Sequence, residues 1–376
     1  MRELSVDTTG SRLTELDGLR GVAVLMVLVW HFVGALINVD MGGWAKGTYR
    51  VFILGRTGVD LFFVLSGFLI TRIFLSKTSS GVRFLSVFYI KRVLRIFPPY
   101  LLLVGIFWTV VLLGVSNSVF SGETPFWRHL TFTQNFWMSE TASWGPAGIS
   151  VSWSIAIEEH YYLFFPLFAL VLPQRLLPGG LMCIAAASIL CRGLMYRYSP
   201  ENAYLSYVMT FSRLDGLAVG GLVAWAFSNN TVRNCLVENE LKLRKYLWVL
   251  ISVIPLFAIS TKFNLAKTMF YWGHTYLTLL YALVITLVLL NAGSDHTKWL
   301  RTTVLSFFGR ISYSVYLFHP LILASCFLLT QRIERINNWT DAGIAALAFA
   351  STVLFCTALY RWYENPILQY GKRWKY

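Results

Sequence analysis

The stretch Leu16–Ile37, LDGLRGVAVLMVLVWHFVGALI, decides the fold class. Its apolar run matches the length a helix needs to cross a hydrocarbon core of ~30 Å. Between Arg20 and His31 no acid or base interrupts it. Working outward from this first span, near residues 18–38, segments of the same kind lie near 58–76, 96–116, 152–173, 180–197, 211–229, 246–262, 273–292, 311–330 and 342–360. The sequence therefore predicts an all-α polytopic membrane protein with about ten transmembrane helices. The composition agrees: of 376 residues, 56% are hydrophobic and only 13% charged, whereas a soluble domain carries about 25% charged residues. Disorder, coiled coil, collagen and a secreted disulfide scaffold are excluded, because each needs high polarity, a sustained repeat or dense cysteine. The aromatic segment from Phe126 to Trp137 is amphipathic and predicts an interfacial or re-entrant stretch, a possible eleventh element.

The formal charge of +14 would suggest nucleic acid in a soluble chain. Here the basic residues flank apolar segments, so they read as orientation and no nucleic-acid partner is expected. Twenty of the 32 Lys and Arg fall in the loops on the side holding both termini and nine on the other. The positive-inside rule places both termini in the cytoplasm. The polar start of the chain shows no cleavable leader. A single membrane-embedded domain is expected over residues 1–376, with cytoplasmic tails at 1–15 and 361–376. The five cysteines form no CxxC pair, and no metal site is expected.

Ionisable groups inside spans are expensive and point to function or to buried pairing. Arg20 and His31 are eleven residues apart, which on a regular helix leaves them about 20° from the same azimuth and about 16 Å apart along the axis. Arg20 falls at the cytoplasmic surface and His31 near mid-membrane. In RFLSVFYIKRVLRIFPPY, on a helix expected to end before Pro98, Arg92 and Arg95 are three apart, so their guanidinium forks point the same way, a geometry suited to phosphate oxygens. Topology alone would also place a basic loop there. Glu158, Glu159 and His160 follow one another in SVSWSIAIEEHYYLFFP. Such a cluster suits a carboxylate that orients an imidazole, or a structural carboxylate paired with Arg213 or Arg192. Asp60, Ser66, Arg213, Asp215, Tyr313 and His319 complete a set of intramembrane polar residues. Arg213 and Asp215 read as structural, paired with each other or between helices. His319 and Tyr313 are candidate donors to a developing oxyanion. Pro320 after His319 frees a backbone carbonyl.

Taken in order, LDGLRGVAVLMVLVWHF, GVDLFFVLSGFLIT, FYIKRVLRIFPPY, SVSWSIAIEEHYYLFFP, RLDGLAVGG, GRISYSVYLFHPL and YENP resemble the membrane acyltransferase 3 family, integral membrane enzymes that O-acylate, most often O-acetylate, sugars. The resemblance runs from about Leu16 to Pro366. It implies His31 as the essential histidine with Arg20 below it, Arg92 and Arg95 as the Arg-x-x-Arg pair, and Glu158 and Glu159 as the paired acids. His160 stands where the family usually has Gln. After Tyr376 no hydrolase-like C-terminal domain, such as some relatives carry, is expected.

The resemblance implies acetyl-CoA, or another short acyl-CoA, as the donor. A pantetheine arm could span the ~16 Å rise between Arg20 and His31. Arg20, Arg92 and Arg95 would grip its phosphates, and His31, with Glu158 or Glu159 beside it, would take the proton of an acceptor hydroxyl. The expected acceptor is a carbohydrate: a surface polysaccharide, a lipid-linked sugar or a glycan signal. The expected place is a bacterial inner membrane. The alternative is a secondary transporter or exporter, which an internal repeat would favour; none is found. Oligomeric state is not written in the sequence.

Overall fold

The computed structural model describes residues 13–76, 81–258 and 267–374. Residues 1–12 of the expected N-terminal tail, the end of the segment expected at 246–262 and the last two residues of the C-terminal tail lie outside them. The described residues form α1 (Thr14–Val29), α2 (Gly43–Phe52), α3 (Gly58–Leu75), α4 (Val82–Leu112), α5 (Phe126–Leu130), α6 (Gln134–Thr141), α7 (Ser152–Val171), α8 (Leu177–Tyr198), α9 (Ala203–Val208), α10 (Leu214–Ser228), α11 (Asn230–Glu238), α12 (Glu240–Ala258), α13 (His274–Leu290), α14 (Thr303–Leu329), α15 (Trp339–Leu359) and α16 (Asn365–Gly371). Among them no strand forms, and one isolated bridge joins Ile37 to Ile336.

Seven helical segments of the described residues are long and apolar enough to cross a membrane: Thr14–Gly34, Gly43–Leu75, Val82–Leu112, Leu177–Tyr198, Met269–Leu290, Thr303–Leu329 and Trp339–Gly371. Of the other expected spans, 152–173 is α7, 211–229 is the shorter α10, and 246–262 begins as α12. Large apolar side chains stay on the outside, as lipid solvation allows: Leu190 on α8, Trp248 on α12 and Leu354 on α15 are all exposed. In water such a surface would not persist.

One expectation is corrected. The helix bearing Arg92 and Arg95 does not end before Pro98 but continues through Pro98 and Pro99 to Leu112. The prolines remove two backbone donors, and the burial of Ile96, Pro99, Tyr100 and Leu103 on the same helix holds it together. The 117–151 region holds α5 and α6, of five and eight residues, too short to cross a bilayer.

The chain divides into two compact units. Of the described residues, the first comprises 13–23, 57–76, 157–258 and 267–310. Its centre is α3 against α10, where a side chain at Gly67 would strike the Leu217 carbonyl and one at Gly220 the Val64 carbonyl. Small residues here let two backbones touch, the usual device for packing helices in lipid. The second comprises 24–56, 81–156 and 311–374. Val315, Phe318 and Phe327 of α14 are sealed in its core with Tyr100, Leu103 and Phe107 of α4.

Candidate active site

In the second unit, α1 is followed by a π-helical turn, Trp30–Gly34. A wider turn of this kind re-aims the side chains it carries and recurs at functional sites. It carries His31, which keeps part of its surface accessible, with the Arg56 guanidinium 5.3 Å above the neighbouring Trp30 ring. Arg56 acts electrostatically on His31. Sequence reasoning had counted it only as a loop charge.

Behind His31 stands His319, fully buried, with ring centroids 4.6 Å apart at an interplanar angle of 65°. Nδ1 of His319 lies 2.9 Å from the Tyr316 carbonyl oxygen and 3.1 Å from that of Val315. A carbonyl only accepts, so Nδ1 carries the hydrogen. The cause is local: Pro320 has no N–H to give the Tyr316 carbonyl, and the side chain one residue earlier supplies the donor. Nε2 has no hydrogen-bond partner among the described residues. In a neutral imidazole with Nδ1 protonated, Nε2 is an acceptor, so His319 has no N–H to offer an oxyanion. Tyr313 likewise donates its hydroxyl to the Ile96 carbonyl, at 3.0 Å. Both expected oxyanion donors are thus engaged elsewhere.

The same unit contains a cavity of about 230 Å³ lined by Lys91, Arg92, Leu94, Arg95, Leu368, Gly371 and Lys372. Arg92 and Arg95 both line it. Lys372 joins them from beyond α16, a residue the sequence offered only as tail. Glu364, in the closing YENP block, sits in the π-helical turn Tyr360–Glu364. It accepts a 2.6 Å hydrogen bond from Ser314 and feels the charge of Arg95.

In the first unit the polar residues of α7 make part-buried hydrogen bonds, while the arginines make buried ion pairs. Glu158 is held at both carboxylate oxygens, by Ser66 Oγ at 3.0 Å and by Tyr162 hydroxyl at 2.7 Å. His160 Nδ1 lies 2.7 Å from Thr210 Oγ1, so this departure from the family pattern faces another helix end within its own unit. Glu159 stands beside them on α7. The arginines that might have neutralised Glu158 are used otherwise. Arg213 pairs with Asp60 at 2.6 Å, and His274 Nδ1 stands 3.3 Å from the same carboxylate oxygen. Arg192 pairs with Asp215 at 2.9 Å and donates to the Ser212 carbonyl. Arg213 and Asp215 are therefore not each other's partner, and both pairs join different elements. Arg20 lies on α1, 4.0 Å from Asp17. Among the described residues no group of three or more His, Cys, Asp or Glu could hold a metal ion.

The described residues of the second unit thus hold a part-accessible imidazole backed by a second one and a cavity lined by four cationic side chains. The family model described as "Acyltransferase domain" matches residues 13–361, and the chain belongs to that family. It is 27% identical over 378 residues to "Putative O-acetyltransferase SACOL0978" of Staphylococcus aureus (strain COL), covering 95% of this chain and 57% of that one. It is 26% identical over 381 residues to "O-acetyltransferase OatA" of Staphylococcus aureus (strain NCTC 8325 / PS 47), covering 96% of this chain and 58% of the relative. The chain thus spans little more than half the length of the curated relatives it matches. No solved structure matches it.

Proposed function

We propose that this acyltransferase is an O-acetyltransferase that moves an acetyl group from acetyl-CoA, on the cytoplasmic side of a bacterial inner membrane, to a hydroxyl of a carbohydrate acceptor. The observation that carries the reading is the part-accessible His31 on its π-helical turn, in a chain of the acyltransferase domain family. The names of the Staphylococcus relatives support acetyl as the group transferred.

In this mechanism His31, neutral, takes the proton of the acceptor hydroxyl. The hydroxyl oxygen bonds to the acetyl carbon, the carbon–sulfur bond breaks, and the proton passes from His31 to the departing thiolate. Lys91, Arg92, Arg95 and Lys372 suit the phosphates of the donor, because they line one cavity and multiple charge-assisted bonds to phosphate favour such clustering. Arg20 is assigned to the donor as well, on its place in the sequence. Glu158 and Glu159 keep the part of paired acids that the family resemblance implies. Arg56, close enough to act on His31, is the candidate donor to the thioester oxygen as negative charge builds there.

Purified protein incubated with acetyl-CoA and a glycan extract should release free thiol in step with acetyl ester on the glycan. His31→Ala should bind acetyl-CoA and release none. Thiol release by that variant at the parental rate would remove His31 from the chemistry.

A further inference from the structure

We propose that His319 is the positioning partner of His31: its bare Nε2 accepts the N–H of His31, so that the other nitrogen of His31 faces the acceptor hydroxyl as a lone pair. The inference rests on the acetyl-transfer reading and adds a residue that the family match and the relatives leave without a role.

Four observations converge. His319 is fully buried while His31 is part accessible, so one imidazole is placed for substrate and the other sits behind it. The tautomer of His319 is set by the backbone, since Nδ1 has only the Tyr316 and Val315 carbonyls to face, at 2.9 and 3.1 Å. That leaves Nε2 an obligate acceptor with no partner among the described residues, and a buried unmatched acceptor costs about 1–3 kcal/mol. Finally, of the rings packed against it His31 is the nearest, edge-on with centroids 4.6 Å apart, and the proposal puts a ring nitrogen of His31 within hydrogen-bond reach of Nε2. The other ring neighbours are Phe32 and Tyr316, at 6.4 and 5.9 Å. The Tyr316 hydroxyl is already engaged with Ser154 at 2.6 Å.

The arrangement performs the orienting task of the carboxylate in a hydrolase triad with a neutral group. An imidazole acceptor does so without burying an anion, which in hydrocarbon would be costly. His319 takes no proton in the net reaction. It shares the positive charge of His31 during the step, and the hydroxyl proton still ends on the thiolate.

The experiment compares the parent, His31→Ala, His319→Phe and Pro320→Ala in detergent. Four readouts are followed: acetyl-CoA binding by calorimetry, kcat and KM for thiol release with a glycan extract, the pH–rate profile, and the 15N spectrum of histidine-labelled protein. Release by the parent and none by His31→Ala establishes the underlying reading, and failure there is a failure of that reading alone. With it standing, His319→Phe should bind acetyl-CoA as the parent does, lose about 100-fold in kcat with KM unchanged, and shift the acid limb of the profile. Pro320→Ala returns an N–H to the Tyr316 carbonyl, releases the lock on Nδ1 and should lose about tenfold in kcat. The parent spectrum should show His319 protonated at Nδ1 and bare at Nε2. Parental kcat and profile in His319→Phe overturn the proposal. So does a loss matched by an equal loss of acetyl-CoA binding, or a spectrum with Nε2 of His319 protonated.

Discussion

His319 donates its Nδ1–H to the carbonyl oxygen of Tyr316, the carbonyl that Pro320 leaves without a backbone donor. A dipeptide that would elsewhere only kink a helix here fixes the protonation of a buried ring. It does so 4.6 Å from the one histidine that the family resemblance marks as essential.

The cationic cavity makes a direct prediction. Arg92→Ala with Arg95→Ala removes two of the four cations that line it. With charge-assisted bonds worth about 1.5–3 kcal/mol each, calorimetry should show at least a 100-fold loss of acetyl-CoA affinity. Lys372→Ala should show a smaller loss, about tenfold. Parental affinity in the double variant would place the donor phosphates elsewhere.

The Arg213–Asp60 pair is buried at both partners. Arg213→Ala leaves a buried carboxylate with only His274 beside it, and breaking a buried pair from one side costs about 3–5 kcal/mol. The variant should melt well below the parent in detergent. Arg213→Lys should recover part of the loss. Equal melting of parent and Arg213→Ala would show that the pair does not hold the first unit together.

His129, on α5 outside the membrane-crossing segments, predicts a pH dependence. It is fully buried, with both ring nitrogens unpartnered among the described residues, and burial lowers its pKa to about 4. In the unfolded chain the imidazole takes its proton near pH 6.5. Between those values the unfolded state binds more protons. Stability is therefore fully present above about pH 6.5 and falls as the pH drops toward 4, by about 3 kcal/mol in all. His129→Phe, matched to the surrounding Phe107 and Trp108 rings, should flatten that limb and leave stability at pH 7 unchanged or raised. Thermal melts from pH 7 to 4.5 test this, and the same acid sensitivity in His129→Phe would assign it to another group.

The helices were largely legible, because runs of apolar residues have few alternatives in a chain this poor in charge. Two features were not. Pro98 and Pro99 read as a stop, yet burial on both sides of them carries α4 through. The π-helical turn at Trp30–Gly34 leaves no mark in the apolar pattern, so the register of His31 could not be set by counting in steps of 3.6. For the site, nearest neighbours in sequence misled. Arg213 lies two residues from Asp215 but pairs with Asp60, 153 positions away. Arg92 and Arg95 were legible because their partner in the cavity wall is their own helix, whereas Lys372 arrives from the far end of the chain. The His319 tautomer was written in the His-Pro dipeptide and needed only the geometry to be read.

The most direct test of the central claim is a single-turnover assay with acetyl-CoA labelled in the acetyl group and a glycan extract, run on the parent and on His31→Ala at saturating donor. The expected result is label in alkali-labile ester on the glycan with the parent, and full donor binding without transfer in the variant. Transfer by His31→Ala at the parental rate, or donor binding by the parent with no label reaching any acceptor, would contradict it.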